Sequence, residues 1–243
     1  MAAQPKTTIA GQLDAARTAL SNSLGHPAIQ YAVARYGYTP EKLREGSQLY
    51  DLAVSSMTAQ AAAVAARHDA TARMALAEQQ VRASYQALAQ LARAIFMREP
   101  SRRVALGLVG GASQNPAAFL VACEKLFGNA INVAEIKDAL AEYGYTVARF
   151  EAERAVVDAF EQAYRSQGAA KATARQATHA QREALARLNQ WVAQYLKIAR
   201  IALQDTPDLL SHLGKAPRGA KAAASRSARK AAPVPTVVAA LGD

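Results

Sequence analysis

The sequence predicts an all-α fold, and three observations carry that prediction. Hydrophobic residues make up 51% of the 243, led by alanine, while aromatics reach only 6%; such a composition favours helices over sheets. Two long segments, 40–97 and 147–204, are nearly free of glycine and proline and carry apolar residues at heptad spacing. The chain also repeats itself: Tyr36-Gly37-Tyr38-Thr39 returns 107 residues later as Tyr143-Gly144-Tyr145-Thr146.

The same offset, without a gap, pairs Leu13 with Leu120, Asn22 with Asn129, Ile29 with Ile136, Asp51 with Asp158 and Gln60 with Gln167. It continues through Ala92-Arg93 and Ala199-Arg200, Pro100 and Pro207, and Leu106-Gly107 and Leu213-Gly214. One register held this long reads as a tandem duplication. We therefore expect a first helical repeat over 1–107, a second over 108–214 packed with it as one domain, and a disordered basic tail with an apolar end over 215–243.

Each repeat opens with a short amphipathic helix, 7–23 or 116–127, where Ile9, Leu13, Ala16 and Leu20, or Leu120, Cys123 and Phe127, share a face. A second short helix follows, at 27–35 and 132–142. Gly37 and Gly144 then suit the left-handed position that closes a helix. Thr39 and Thr146 suit the next N-cap, with Pro40 at the first turn. The four corner tyrosines, Tyr36, Tyr38, Tyr143 and Tyr145, are expected to lock these corners by packing.

In the long segments, Leu43, Tyr50, Met57 and Val64 are spaced by seven, as are Met74, Val81, Leu88 and Ile95. Phe150, Val157 and Tyr164, then Leu185, Val192 and Ala199, with Leu188 and Tyr195, repeat the pattern. The seam loses phase near Arg67-His68-Asp69 and near Gln167-Gly168. This predicts a long helical hairpin per repeat, giving a pseudo-twofold four-helix-bundle-like domain with the short helices closing one end. Continuous helices, in an elongated or intertwined assembly, are the alternative. The amphipathic, alanine-rich helices suit self-association.

Chemistry is sparse. The four histidines, His26, His68, His179 and His212, face Val133, Arg175, Ala72 and Ala105 in the other repeat, so no symmetric histidine site is expected. Glu-x-x-His, the mark of di-iron bundles, is absent. His179 and Glu183, one turn apart, read as an exposed i,i+4 pair. Cys123 has no second cysteine for zinc or a disulfide, and its counterpart Ala16 marks it as a small buried residue. Gly107-Leu108-Val109-Gly110-Gly111-Ala112-Ser113 lacks the Gly-Lys-Ser/Thr ending of a phosphate loop and reads as a flexible connection.

Asp51, Asp158, Arg93 and Arg200 are charged in both repeats. Arg93 and Arg200 are expected to bond corner carbonyls, and the aspartates a neighbouring helix. A paired polar site on the pseudo-twofold axis is the functional alternative. We expect no catalytic residues, metal or cofactor, and hence no enzyme. A lone cysteine, no apolar leader and no run of about 18 apolar residues suggest a cytoplasmic protein without a transmembrane segment.

Charge points elsewhere. The formal net charge is +10, and Lys215, Arg218, Lys221, Arg226, Arg229 and Lys230 lie beyond residue 214 against one acid, Asp243. The segment from Lys215 to Pro235 resembles, in composition, the Ala/Lys/Pro tails of linker-histone-like and bacterial nucleoid-associated proteins. That resemblance implies weak, sequence-independent, salt-sensitive nucleic-acid binding. The apolar end, Val234 to Gly242, resembles in layout the docking tails of encapsulin cargo, which implies a protein partner. A structural protein that grips an acidic polymer, most readily nucleic acid, is the leading expectation. A phasin-like surface coat, a docked cargo protein, and a ligand or metal carrier at the bundle axis are the alternatives.

Overall fold

The structure, a computed structural model, describes residues 8–214. They form eight helices and, among the described residues, no strand: α1 (Ile9–Gly25), α2 (Pro27–Ala34), α3 (Pro40–Ile95), α4 (Pro100–Ala105), α5 (Pro116–Asn132), α6 (Ala134–Ala141), α7 (Val147–Ala202) and α8 (Pro207–His212). Every bound of α5–α8 lies 107 residues beyond its counterpart in α1–α4. Proline opens five of the eight helices, where its missing N–H costs nothing. The short α4 and α8, each led by such a proline, were not expected from the sequence.

The chain reverses at the corners as their residues require. Gly37 and Gly144 both sit at φ 83°. At each corner the next residue's N–H reaches back five residues, Tyr38 to Val33 and Tyr145 to Leu140, both at 3.1 Å. This is the Schellman closure, completed by apolar contact across the turn. Thr39 Oγ1 accepts from Lys42 N at 3.4 Å, and Thr146 Oγ1 from Arg149 N at 3.3 Å. Only the second tyrosine of each pair packs: Tyr38 and Tyr145 are buried, while Tyr36 and Tyr143 are exposed.

The expected hairpins are absent. Each long segment is one helix of 56 residues, with Arg67-His68-Asp69 inside α3 and Gln167-Gly168 inside α7. A glycine inside a helix costs only about 1 kcal/mol relative to alanine, too little to break one this long. Thr71 starts no new helix; its hydroxyl donates to the Arg67 carbonyl at 2.8 Å, one turn back along the same helix. The expectation of short helices gathered at one bundle end fails too, because they divide between two compact units.

One unit takes in the described residues up to Met57 and from Ala180 onward; the other is Thr58–His179. The first holds α1, α2, the start of α3, the end of α7, and α8. Leu43 clusters there with Tyr195, Ala199 and Leu203, and Ala53 with Ala184, Leu185 and Leu188. Rising numbers in α3 meet falling numbers in α7, so the two helices run antiparallel in this unit. The second unit holds the rest of α3, then α4, α5, α6 and the start of α7. Its core joins Val81 and Leu88 of α3, and Phe96 just beyond it, to Phe119, Cys123 and Phe127 of α5 and to Phe150 and Phe160 of α7. Each fully buried side chain of this kind contributes about 1.5–3 kcal/mol. Both units' cores thus draw residues from before and after residue 107.

No helix among the described residues is long and apolar enough to cross a membrane. The α5–α6 pair reaches that apolar length only together, bent by 85°, and Phe119, Leu126, Phe127, Ile136 and Leu140 of the pair are buried in the second unit's core.

Candidate functional site

Two places in the fold gather polar chemistry, one in each unit. The first is the platform from which the basic tail departs. Asn22 of α1 anchors it twice. Its backbone carbonyl accepts the His26 N–H at 3.1 Å, and its side-chain Nδ2 donates to the His212 carbonyl, at the end of α8, at 2.5 Å. Asn129 repeats the arrangement in the other unit, accepting from Val133 N at 3.1 Å and donating to the Ala105 carbonyl at 2.6 Å. The repeated asparagine is therefore a structural device joining a first helix to a last one.

On this frame the imidazoles of His26 and His212 are neighbours, ring centres 5.7 Å apart and planes inclined by 46°. Gly214, at φ 71°, closes α8 over the buried Leu213. The next residue is Lys215, the first of the tail cations. Those cations, Lys215, Arg218, Lys221, Arg226, Arg229 and Lys230, lie outside the described residues.

The second place is a cleft of about 270 Å³ in the other unit, between α3 and the 106–115 connection, with Arg82, Tyr85, Gln90 and Arg93 on its wall. Arg82 pairs with Glu78 at 2.6 Å and lies over the Phe119 ring, 4.1 Å from its centre. It also donates to the carbonyls of Ser113 (3.2 Å) and Gln114 (3.3 Å). Arg93 donates to the Gly110 carbonyl at 3.3 Å. With Leu108 buried and Asn115 capping α5, these bonds hold the connection down. It is pinned, contrary to the flexible link expected from its glycines.

The other residues singled out from the sequence scatter. Arg93 reaches a connection carbonyl, not a corner, because the unbroken α3 carries it into a different unit from Leu43. Arg200 and Asp51 are exposed. Asp158 is exposed and pairs with Arg154 of its own helix at 3.3 Å, so it does not bond a neighbouring one. These four residues are not gathered into a site. Cys123 is fully buried, and burial pushes its thiol up to about 12; such a group is not a nucleophile. Among the described residues no group of three or more His, Cys, Asp or Glu side chains could hold a metal.

The histidine pair leaves no signal in the sequence, because its members lie far apart along the chain and neither recurs at the 107-residue offset. No family model matches this chain, and no curated protein or solved structure matches it significantly.

Proposed function

We propose that this protein is a helical scaffold whose basic C-terminal segment grips an acidic polymer, nucleic acid foremost, without reading its sequence. The observation that carries this reading is charge placed next to a fixed root. Six of the 29 basic residues follow Gly214 against one acid, and the helix before them is tied to α1 through Asn22. A folded body fixes where the cations start, and the cations are spaced among small residues and prolines. The segment has no aromatic residue, so stacking on single-stranded bases has no part in it.

The test is a duplex-DNA titration of the full chain against a version ending at Gly214. Six phosphate contacts predict an affinity that falls roughly a thousandfold between about 50 and 200 mM salt. Binding by the full chain alone, with that salt dependence, supports the reading. Equal binding by both versions, or by neither, overturns it.

A further inference from the structure

We propose that His26 and His212 form a two-histidine site for a divalent transition ion of the zinc class, clamping α8 to the α1–α2 junction. The argument starts from the comparison the molecule makes with itself. The Asn22 frame and the Asn129 frame have the same two hydrogen bonds at matching lengths, one to the asparagine carbonyl and one from its side-chain amide. In the second unit the two framed positions carry Val133 and Ala105, apolar residues without chemistry. The fold therefore does not need imidazoles there. One unit nevertheless has two, with their ring centres 5.7 Å apart.

The geometry suits a shared ion. Metal–nitrogen bonds of about 2.0–2.1 Å place the centres of two imidazoles on one ion roughly 5–6.5 Å apart, and here they are 5.7 Å apart. His26 Nδ1 is buried and has no hydrogen-bond partner, a cost that buried polar groups seldom bear unrelieved. His212 is exposed, which leaves a side open to solvent for entry and for the water ligands that complete the coordination. Both backbones are fixed by the same asparagine, so little ordering is required when an ion arrives. Neutral imidazole is a good ligand for zinc, copper and nickel alike, and zinc is the probe of choice because it brings no redox chemistry.

The experiment uses the full chain, freed of any polyhistidine tag, titrated with Zn²⁺ alone by calorimetry and followed by the histidine ring signals in NMR. We expect one ion per chain and perturbation of two of the four histidine rings, those of His26 and His212. His26→Val and His212→Ala install the residues the other unit already uses, so the fold should survive. Each should weaken binding at least tenfold, and the pair should abolish it. His68→Ala should leave binding unchanged. The unfolding temperature should rise with zinc in the natural chain and not in the double variant. The proposal is overturned if the natural chain binds no zinc up to about 1 mM. It is equally overturned if the double variant binds as tightly, or if the rings that shift are those of His68 and His179. The ring signals of the natural chain decide the matter even if a variant folds poorly.

Discussion

Trp191 lies so close to Gly46 that a Cβ built on the glycine would come within 2.5 Å of the indole Cη2 and 2.7 Å of Leu20 Cδ2. The indole stacks on Tyr195 at 5.4 Å and meets Tyr38 edge-on at 5.7 Å. In the other unit the same two positions hold Glu153 and Ser84, a large side chain on α7 and a small one on α3. At the positions related by the 107-residue offset the large and small members are exchanged, so that α7 carries the large side chain and α3 the small one in both units.

Gly46→Ala should therefore destabilise the protein by about 1–3 kcal/mol, the usual cost of overpacking a core. A thermal melt should show a loss of roughly 2–12 °C. Trp191→Ser alone should also destabilise, through the cavity it opens. The combination Gly46→Glu with Trp191→Ser copies the other unit, where Arg149 lies over Tyr145 as Lys42 lies over Tyr38. Its cost should be less than the sum of the single costs. Strict additivity would show that the two positions do not exchange volume.

Much of this was legible in the sequence, and the failures have physical causes. The 107-residue offset paired the first three helices with α5, α6 and α7, though α4 and α8 went unread, because backbone devices such as Gly37 and Thr39 leave signatures independent of tertiary packing. Helix continuity was not legible. Charged residues such as Arg67 and Asp69 look like a turn, yet an exposed stretch of helix accommodates them equally well. Nor could the sequence say which repeat packs on which: Leu43 meeting Ala92 or Leu43 meeting Ala199 satisfies the same internal symmetry. His26 and His212 stayed hidden for the opposite reason. They break that symmetry, and only the fold brings α1 and α8 together.

Asn22 and Asn129 supply a paired test of that joining. Replacing either by alanine removes one side-chain hydrogen bond to a helix-end carbonyl, worth about 0.5–1.5 kcal/mol. The loss should be local. Amide exchange should accelerate in α8 for Asn22→Ala and in α4 for Asn129→Ala, with the other unit unaffected. Faster exchange in α4 from the Asn22 variant would contradict the assignment of these bonds to separate cores.

The corner glycines offer a second pair. At φ 83° any side chain is strained, and the left-handed region costs about 1–2 kcal/mol for a residue with a Cβ. No neighbouring atom lies within 4 Å of a Cβ at either position, so backbone strain alone sets the penalty. Gly37→Ala and Gly144→Ala should cost the same in a denaturant titration. Clearly unequal losses would mean that packing contributes at one of them.

Cys123 makes a reporter. Fully buried, with its thiol pushed up to about 12, it should be thiolate in only roughly one molecule in 10⁴ at about pH 8. A thiol reagent should leave the native protein unlabelled and react promptly once denaturant opens the second unit. Prompt labelling of the native chain would sink the placement of Cys123 in that core.

Glu153 predicts a pH dependence. Its side chain is 13% exposed, and burial raises its pKa against the opposing pull of Arg149, 3.2 Å away, and of Tyr145. The folded chain therefore holds this proton more tightly than the unfolded chain. The resulting stability is fully present below the unfolded carboxyl's pKa and is lost as pH rises through the folded value. Glu153→Gln has no proton to lose and still offers Arg149 an acceptor. Measured by urea unfolding, the variant's stability relative to the natural protein should improve as pH rises from about 4 to about 7. A relative stability that stays flat, or moves towards the natural protein, would mean that the Arg149 pair outweighs the burial of the carboxylate.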